Sequence, residues 1–86
     1  MPTPKRTYAR YTTEGIALLG KMIRHGRKQR KMTEVELAER LGIARSTLQR
    51  MERGDPKVEI GIMFEAAALV GVKLFESDEK GINRLS

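Results

Sequence analysis

Residues 33–42 define a helix more tightly than any other stretch of this chain. Thr33-Glu34-Val35-Glu36 sets a hydroxyl at an N-cap and a carboxylate three residues later. Each can take a backbone N–H that the helix start would otherwise leave unpaired. Met32 and Leu37 flank the cap as a hydrophobic staple. Leu37, Ala38 and Leu41 share one face, and Gly42 then stops the helix, because glycine takes positive φ without a Cβ clash. The helix is about eight residues long, and a helix of that length is unstable in water without neighbours. A second short helix follows over 45–52. Leu48 and Met51 lie on one side with Ala44 above them, and Arg45, Ser46, Gln49 and Arg50 on the other. Gly54-Asp55-Pro56 ends it as a turn.

Two short helices joined by Gly42-Ile43-Ala44 make physical sense as a helix-turn-helix packed on other helices, the alternative being a small four-helix domain with an ordinary polar face. The flanking sequence supplies the other helices. With Thr12 or Thr13 as N-cap, Ile16, Leu19, Gly20, Ile23 and Arg27 form one helical stripe. Lys21, Arg24, Lys28 and Lys31 form a second, cationic stripe. Gly15, Gly20 and Gly26 each cost about 1 kcal/mol relative to alanine in a helix interior. Gly20 lies in the apolar stripe, where a missing side chain permits close helix approach; the sequence gives no such reason for Gly26. A fourth helix spans roughly 59–70, with Ile60, Met63, Phe64, Ala67, Leu69 and Val70 apolar and Gly71 closing it. Val72-Lys73-Leu74-Phe75 alternates apolar and polar, and reads as a strand or as the start of a short helix. The expectation is an all-α, compact domain of four to five helices over 13–72. A flexible basic arm (1–12) precedes it, and a dimerisation segment and short tail (73–86) follow.

At 86 residues and 9.7 kDa there is room for one small domain. A sizeable cofactor-binding enzyme fold is excluded. Aromatics are 5% and Trp is absent, so the core must be aliphatic. The five methionines (1, 22, 32, 51, 63) fall at core-like spacings and read as gap-fillers. Without cysteine there is no disulfide, thiolate zinc site or Cys nucleophile, which fits a reducing cytoplasm. His25, the single histidine, sits beside Arg24 on the charged first helix and reads as solvated. It has no partner for a metal or a catalytic triad. The expectation is a non-enzyme with no cofactor and no metal. The start of the chain is basic but lacks an apolar h-region, and no apolar run nears the roughly 20 residues of a membrane span. A cytoplasmic location follows as an expectation.

The net charge is +6, unevenly placed. Residues 1–31 hold nine Lys/Arg and one acid, a net +8, whereas residues 32–86 hold eight Lys/Arg and ten acids, a net −2. A basic half suggests a polyanion partner. The outward residues of the 45–52 helix are all able to hydrogen-bond base edges or phosphates, and none is a carboxylate. Tyr8 and Tyr11, among Lys5, Arg6 and Arg10, could clamp such a partner or pack on the first helix.

The stretch KMTEVELAERLGIARSTLQRMERGDPKVEIG resembles the Xre family of helix-turn-helix regulators, which have the phage-repressor-like fold. The likeness covers about residues 18–72, and ELAERLGI and STLQRMERG are its most specific parts. It implies a sequence-specific, double-stranded-DNA-binding repressor acting as a two-fold dimer on a palindromic operator. It implies base contacts from Arg45, Ser46 and Arg50, with Gln49 on the same face. Phosphate contacts fall to Thr33, Thr47, Arg53 and Lys57. It also pairs Arg27, a cation in an apolar stripe, with Glu52. Two positions depart from the pattern. Glu34 stands where the family usually has Gln, and its charge would repel a phosphate. Ala44, which cannot cap, stands where Ser or Thr often caps the reader helix. A narrower likeness, ERGDPKVEIGIMFEAAALVGVKLF, is to HipB-type antitoxins, regulators that also bind a HipA-type serine/threonine kinase. It implies an antitoxin role, with Val72, Leu74 and Phe75 at the dimer interface. The alternatives are an Xre-type regulator without a toxin, or a protein-interaction adaptor.

Overall fold

The structure, a computed structural model, describes residues 7–75. Among the described residues run α1 (Arg10–Gln29), α2 (Glu34–Leu41), α3 (Arg45–Glu52) and α4 (Ile60–Leu69), with no strand. Helix α1 starts earlier than its threonines suggest. Ala9 is the N-cap, and its side chain makes no capping bond. The Thr13 hydroxyl donates back to the Ala9 carbonyl at 3.3 Å, and an Arg10–Glu14 ion pair of 2.7 Å spans the first turn. Residues 10–12, expected in the arm, are therefore helical. Lys5, Arg6 and the tail after Phe75 lie outside the described residues.

Helix α2 forms where its capping box places it. The Thr33 hydroxyl accepts the Glu36 N–H at 3.1 Å, and Glu36 Oε1 accepts the Thr33 N–H at 3.2 Å. The Thr33 N–H first, and the Thr33 side chain second, hold the Glu36 carboxyl below the usual carboxylate range. At their other ends all four helices close alike. After α2, Gly42 N–H donates to Glu39 and Ile43 N–H to Ala38, at 3.1 and 3.0 Å. The same pair of bonds recurs at Lys31 and Met32, at Gly54 and Asp55, and at Gly71 and Val72. This Schellman closure needs a left-handed residue. Glycine fills that position three times, and Lys31 fills it with φ 53 despite its side chain, at a cost of about 1 kcal/mol.

Helices α2 and α3 pack on each other; α1 packs on α3 and α4, and α4 also meets α2. Ile23, Leu37, Leu48, Met51 and Val70 are fully buried, joined by Met32, Ala38, Val58, Met63, Ala66 and Ala67. No aromatic ring enters this core. Two inward assignments, Met22 and Ala44, fail, and both residues are exposed. Helix α4 is apolar on nearly every side, so its periodicity cannot choose a face. It buries Met63, Ala66 and Ala67 and turns Ile60 and Phe64 outward.

The glycines of α1 set how closely its neighbours lie. A Cβ on Gly20 would stand 2.5 Å from the Met51 carbonyl oxygen and 2.8 Å from that of Glu52. Gly26 does the same for α4, where a Cβ would meet the Val70 carbonyl oxygen at 2.6 Å. Gly26 is thus the contact point between the first helix and the end of the last. Residues 72–75 are neither strand nor helix. A strand needs a partner for its backbone groups, and no ladder forms among the described residues. Val72 and Leu74 lie half-buried against the core, while Phe75 is 65% exposed with its ring centroid 5.9 Å from that of Phe64.

Candidate nucleic-acid interface

The orientation of α3 is fixed from below. Leu48 and Met51 enter the core, and Glu52 meets Arg27 beneath the helix end. Arg27 Nε donates to Glu52 Oε2 at 2.7 Å and one η-nitrogen donates to Oε1 at 3.0 Å, a bidentate pair. The other η-nitrogen donates to the Met32 carbonyl at 3.0 Å, so one guanidinium ties α1, the α1–α2 turn and α3 together. Both side chains are more than nine-tenths buried. The bond from Glu52 raises the Arg27 pKa above its ordinary value, against the lowering effect of burial. No buried side-chain polar atom among the described residues lacks a partner.

With that underside anchored, α3 presents Arg45 and Ser46 exposed, and Gln49 and Arg50 half-exposed, on its outer side. Neither arginine is unengaged. An Arg45 η-nitrogen donates to Glu34 Oε1 at 3.3 Å, and Arg50 Nε donates to Asp55 Oδ2 at 2.8 Å. Asp55 Oδ1 accepts the Lys57 backbone N–H, also at 2.8 Å. The Arg50 bond first, and the Lys57 N–H second, hold the Asp55 carboxyl below its usual range. As expected, Ala44 makes no capping bond.

The residues expected at phosphates surround this face. Thr33 caps α2 and is exposed. Thr47 is half-buried on α3, Arg53 is exposed just past the helix end, and Lys57 is exposed on the α3–α4 turn. A cleft of about 340 Å³ is lined by Arg24, Arg27, Glu34, Gln49, Glu52 and Arg53. Arg27 and Glu52 neutralise each other there, and Glu34 shares its charge with Arg45. The exposed Arg24 and Arg53 are left as the cations of the cleft. Arg24 was readable only as a member of the cationic stripe, although its place three residues before Arg27 puts the two side by side on α1. Asp55 was readable only as a turn residue, although an aspartate two before Lys57 is the usual acceptor of such a turn. No group of His, Asp or Glu side chains among the described residues could hold a metal ion, and no helix among them is long and apolar enough to cross a membrane.

A protein-family model described as helix-turn-helix matches residues 23–77. No curated protein and no solved structure matches the chain. The matched span contains the end of α1, both short helices, their glycine turn and α4. Well over half of the sequence and all of the reader geometry fall within it, and the chain belongs to the helix-turn-helix family of Xre-like DNA-binding transcription regulators.

Proposed function

We propose that the protein is a sequence-specific repressor that binds double-stranded DNA as a two-fold dimer on a palindromic operator. The observation that carries the reading is the outer face of α3. Arg45, Ser46, Gln49 and Arg50 stand on a helix whose other side is locked by Leu48, Met51 and the buried Arg27–Glu52 pair. Arginine suits guanine O6/N7 in the major groove and glutamine suits adenine. Thr33, Thr47, Arg53 and Lys57, with Arg24, would take the flanking phosphates. Arg45→Ala and Arg50→Ala are each expected to lose about 1–3 kcal/mol on the operator and little on random DNA. Lys57→Ala should weaken both and reduce the salt slope by about one. Salt-dependent gel shifts check this. Equal losses on both DNAs for all three variants would remove α3 as the reading face. Wild-type protein that binds no duplex at low salt would favour the adaptor reading.

One eight-residue reader helix touches too few base pairs to specify a site; two copies place their readers about one DNA turn apart. An apolar groove of about 510 Å³ supports a place for the second copy. It is lined by Tyr11, Leu18, Met22, Phe64, Leu74 and Phe75. The interface expected at Val72, Leu74, Phe75 and the apolar residues of the fourth helix thus widens to the outer face of α1. Phe64→Glu and Phe75→Glu should give folded monomers by circular dichroism and light scattering at micromolar concentration. A folded variant that stays fully dimeric would exclude this face. The antitoxin role with a HipA-type kinase rests on the likeness over residues 52–75. A kinase reading frame beside the gene would support it, and a lone gene would favour a toxin-independent regulator. Both readings place the protein in the cytoplasm.

A further inference from the structure

The two outward arginines of α3 share an arrangement. Each is engaged by a carboxylate that belongs to another segment. Glu34, the first residue of α2, reaches Arg45 at the start of α3, and Asp55, in the turn after α3, reaches Arg50 in its last turn. The other two ion pairs among the described residues, Arg10–Glu14 and Arg27–Glu52, lie elsewhere. Asp55 has no other structural task that needs its charge, whereas Glu34, at the α2 N-terminus, also suits the helix dipole and favours the charged form of the buried Arg27. The capping box of α2 uses Thr33 and Glu36, not Glu34. The turn bond to Lys57 N–H needs only one oxygen of Asp55, which an amide would supply as well.

We propose that Glu34 and Asp55 are positioning residues that set sequence discrimination, holding Arg45 and Arg50 for base edges and against phosphates. The proposal rests on α3 being the DNA reader. A guanidinium has five N–H donors, and one bond to a carboxylate leaves enough for a bidentate contact with guanine. The bond also restricts the arginine before DNA arrives, so less freedom is lost on binding. A phosphate approaching either arginine must also approach the carboxylate, and like charges oppose it. A guanine edge carries no net charge, and its O6 and N7 meet much weaker opposition. Phosphate contacts carry no sequence information, so the carboxylates suppress the contacts that do not discriminate.

The test uses the full chain with Glu34→Gln, Asp55→Asn and the double variant, each matched to wild type by thermal melting. At Asp55→Asn the side-chain oxygen can stay on Lys57 N–H, which turns an NH₂ toward Arg50. Each protein selects from a random-sequence duplex pool, and its affinity for unselected duplex is measured in parallel. Wild type is expected to enrich a palindromic motif. Each amide variant should bind unselected duplex roughly threefold more tightly. It should also lose about tenfold of the preference, confined to the base pairs facing its own arginine. The two losses should fall at opposite ends of each half-site. An unchanged motif with unchanged random binding overturns the proposal. So does a lowered melting temperature with uniform loss on every duplex, which would mark a structural role. A wild type that enriches nothing overturns the DNA-reading assignment itself, a separate result.

Discussion

Glu52→Ala is expected to cost about 3–5 kcal/mol of folding stability. The substitution leaves the Arg27 guanidinium buried with only the Met32 carbonyl among its three present bonds. Domains of this size hold roughly 5–10 kcal/mol in all, so the variant should be close to unfolding at physiological temperature. At roughly 4–8 °C per kcal/mol, the melting temperature should fall by at least about 12 °C. The cost comes from the stranded cation rather than from the lost pair. Arg27→Met combined with Glu52→Leu should therefore recover most of the stability, because apolar replacements of a buried pair are often neutral or better. Thermal melting followed by far-ultraviolet circular dichroism checks both. A Glu52→Ala protein that melts with wild type would mean that water reaches Arg27 freely.

Alanine at two positions of the same helix should act in opposite directions. Gly20→Ala puts a methyl 2.5 Å from one backbone oxygen and 2.8 Å from another. These obstacles are main chain, and no rotamer change clears them. The helices must separate, at about 3 kcal/mol, the upper end of the usual overpacking range. Gly15 has nothing within 4 Å of its would-be Cβ. Gly15→Ala should simply gain the helix propensity of alanine, about 1 kcal/mol. Urea unfolding of the two variants measures the contrast. A stabilising Gly20→Ala would show that α1 and α3 are less closely seated than their backbones indicate.

What could be read from the residues is mostly local. The capping box and Gly42 define α2 within its own length, because the hydrogen bonds that start and stop it are made by neighbours in sequence. The polar side of α3 is readable for the same reason. Arg27 announced a need for an acid by its place in an apolar stripe, but only the family likeness singled out Glu52 from the other carboxylates. Features that depend on distant backbone were mostly not readable; Gly20 was, because it falls in the apolar stripe of α1. Gly26 has its reason at Val70, far along the chain though adjacent in space. Helix α4 is so uniformly apolar that packing alone chooses Ala66 over Phe64 as a buried residue. Alternation over 72–75 suggested a strand, yet pattern cannot supply the second strand that a ladder requires. The bonds from Arg45 to Glu34 and from Arg50 to Asp55 cross segment boundaries, where periodicity carries no information.

The aliphatic core has an optical consequence. Every aromatic side chain of the protein lies at the surface: Tyr8, Tyr11, Phe64 and Phe75. With no tryptophan and no ring in the domain core, the monomer with its apolar groove uncovered should give weak near-ultraviolet circular dichroism and little fluorescence change on melting. Those signals are usually taken as the mark of fixed tertiary packing, and their weakness here would be mistaken for a molten state. The converse is useful. Tyr11, Phe64 and Phe75 line one groove, so a change in tyrosine emission on dilution or on mixing reports what covers that face, separately from whether the domain is folded.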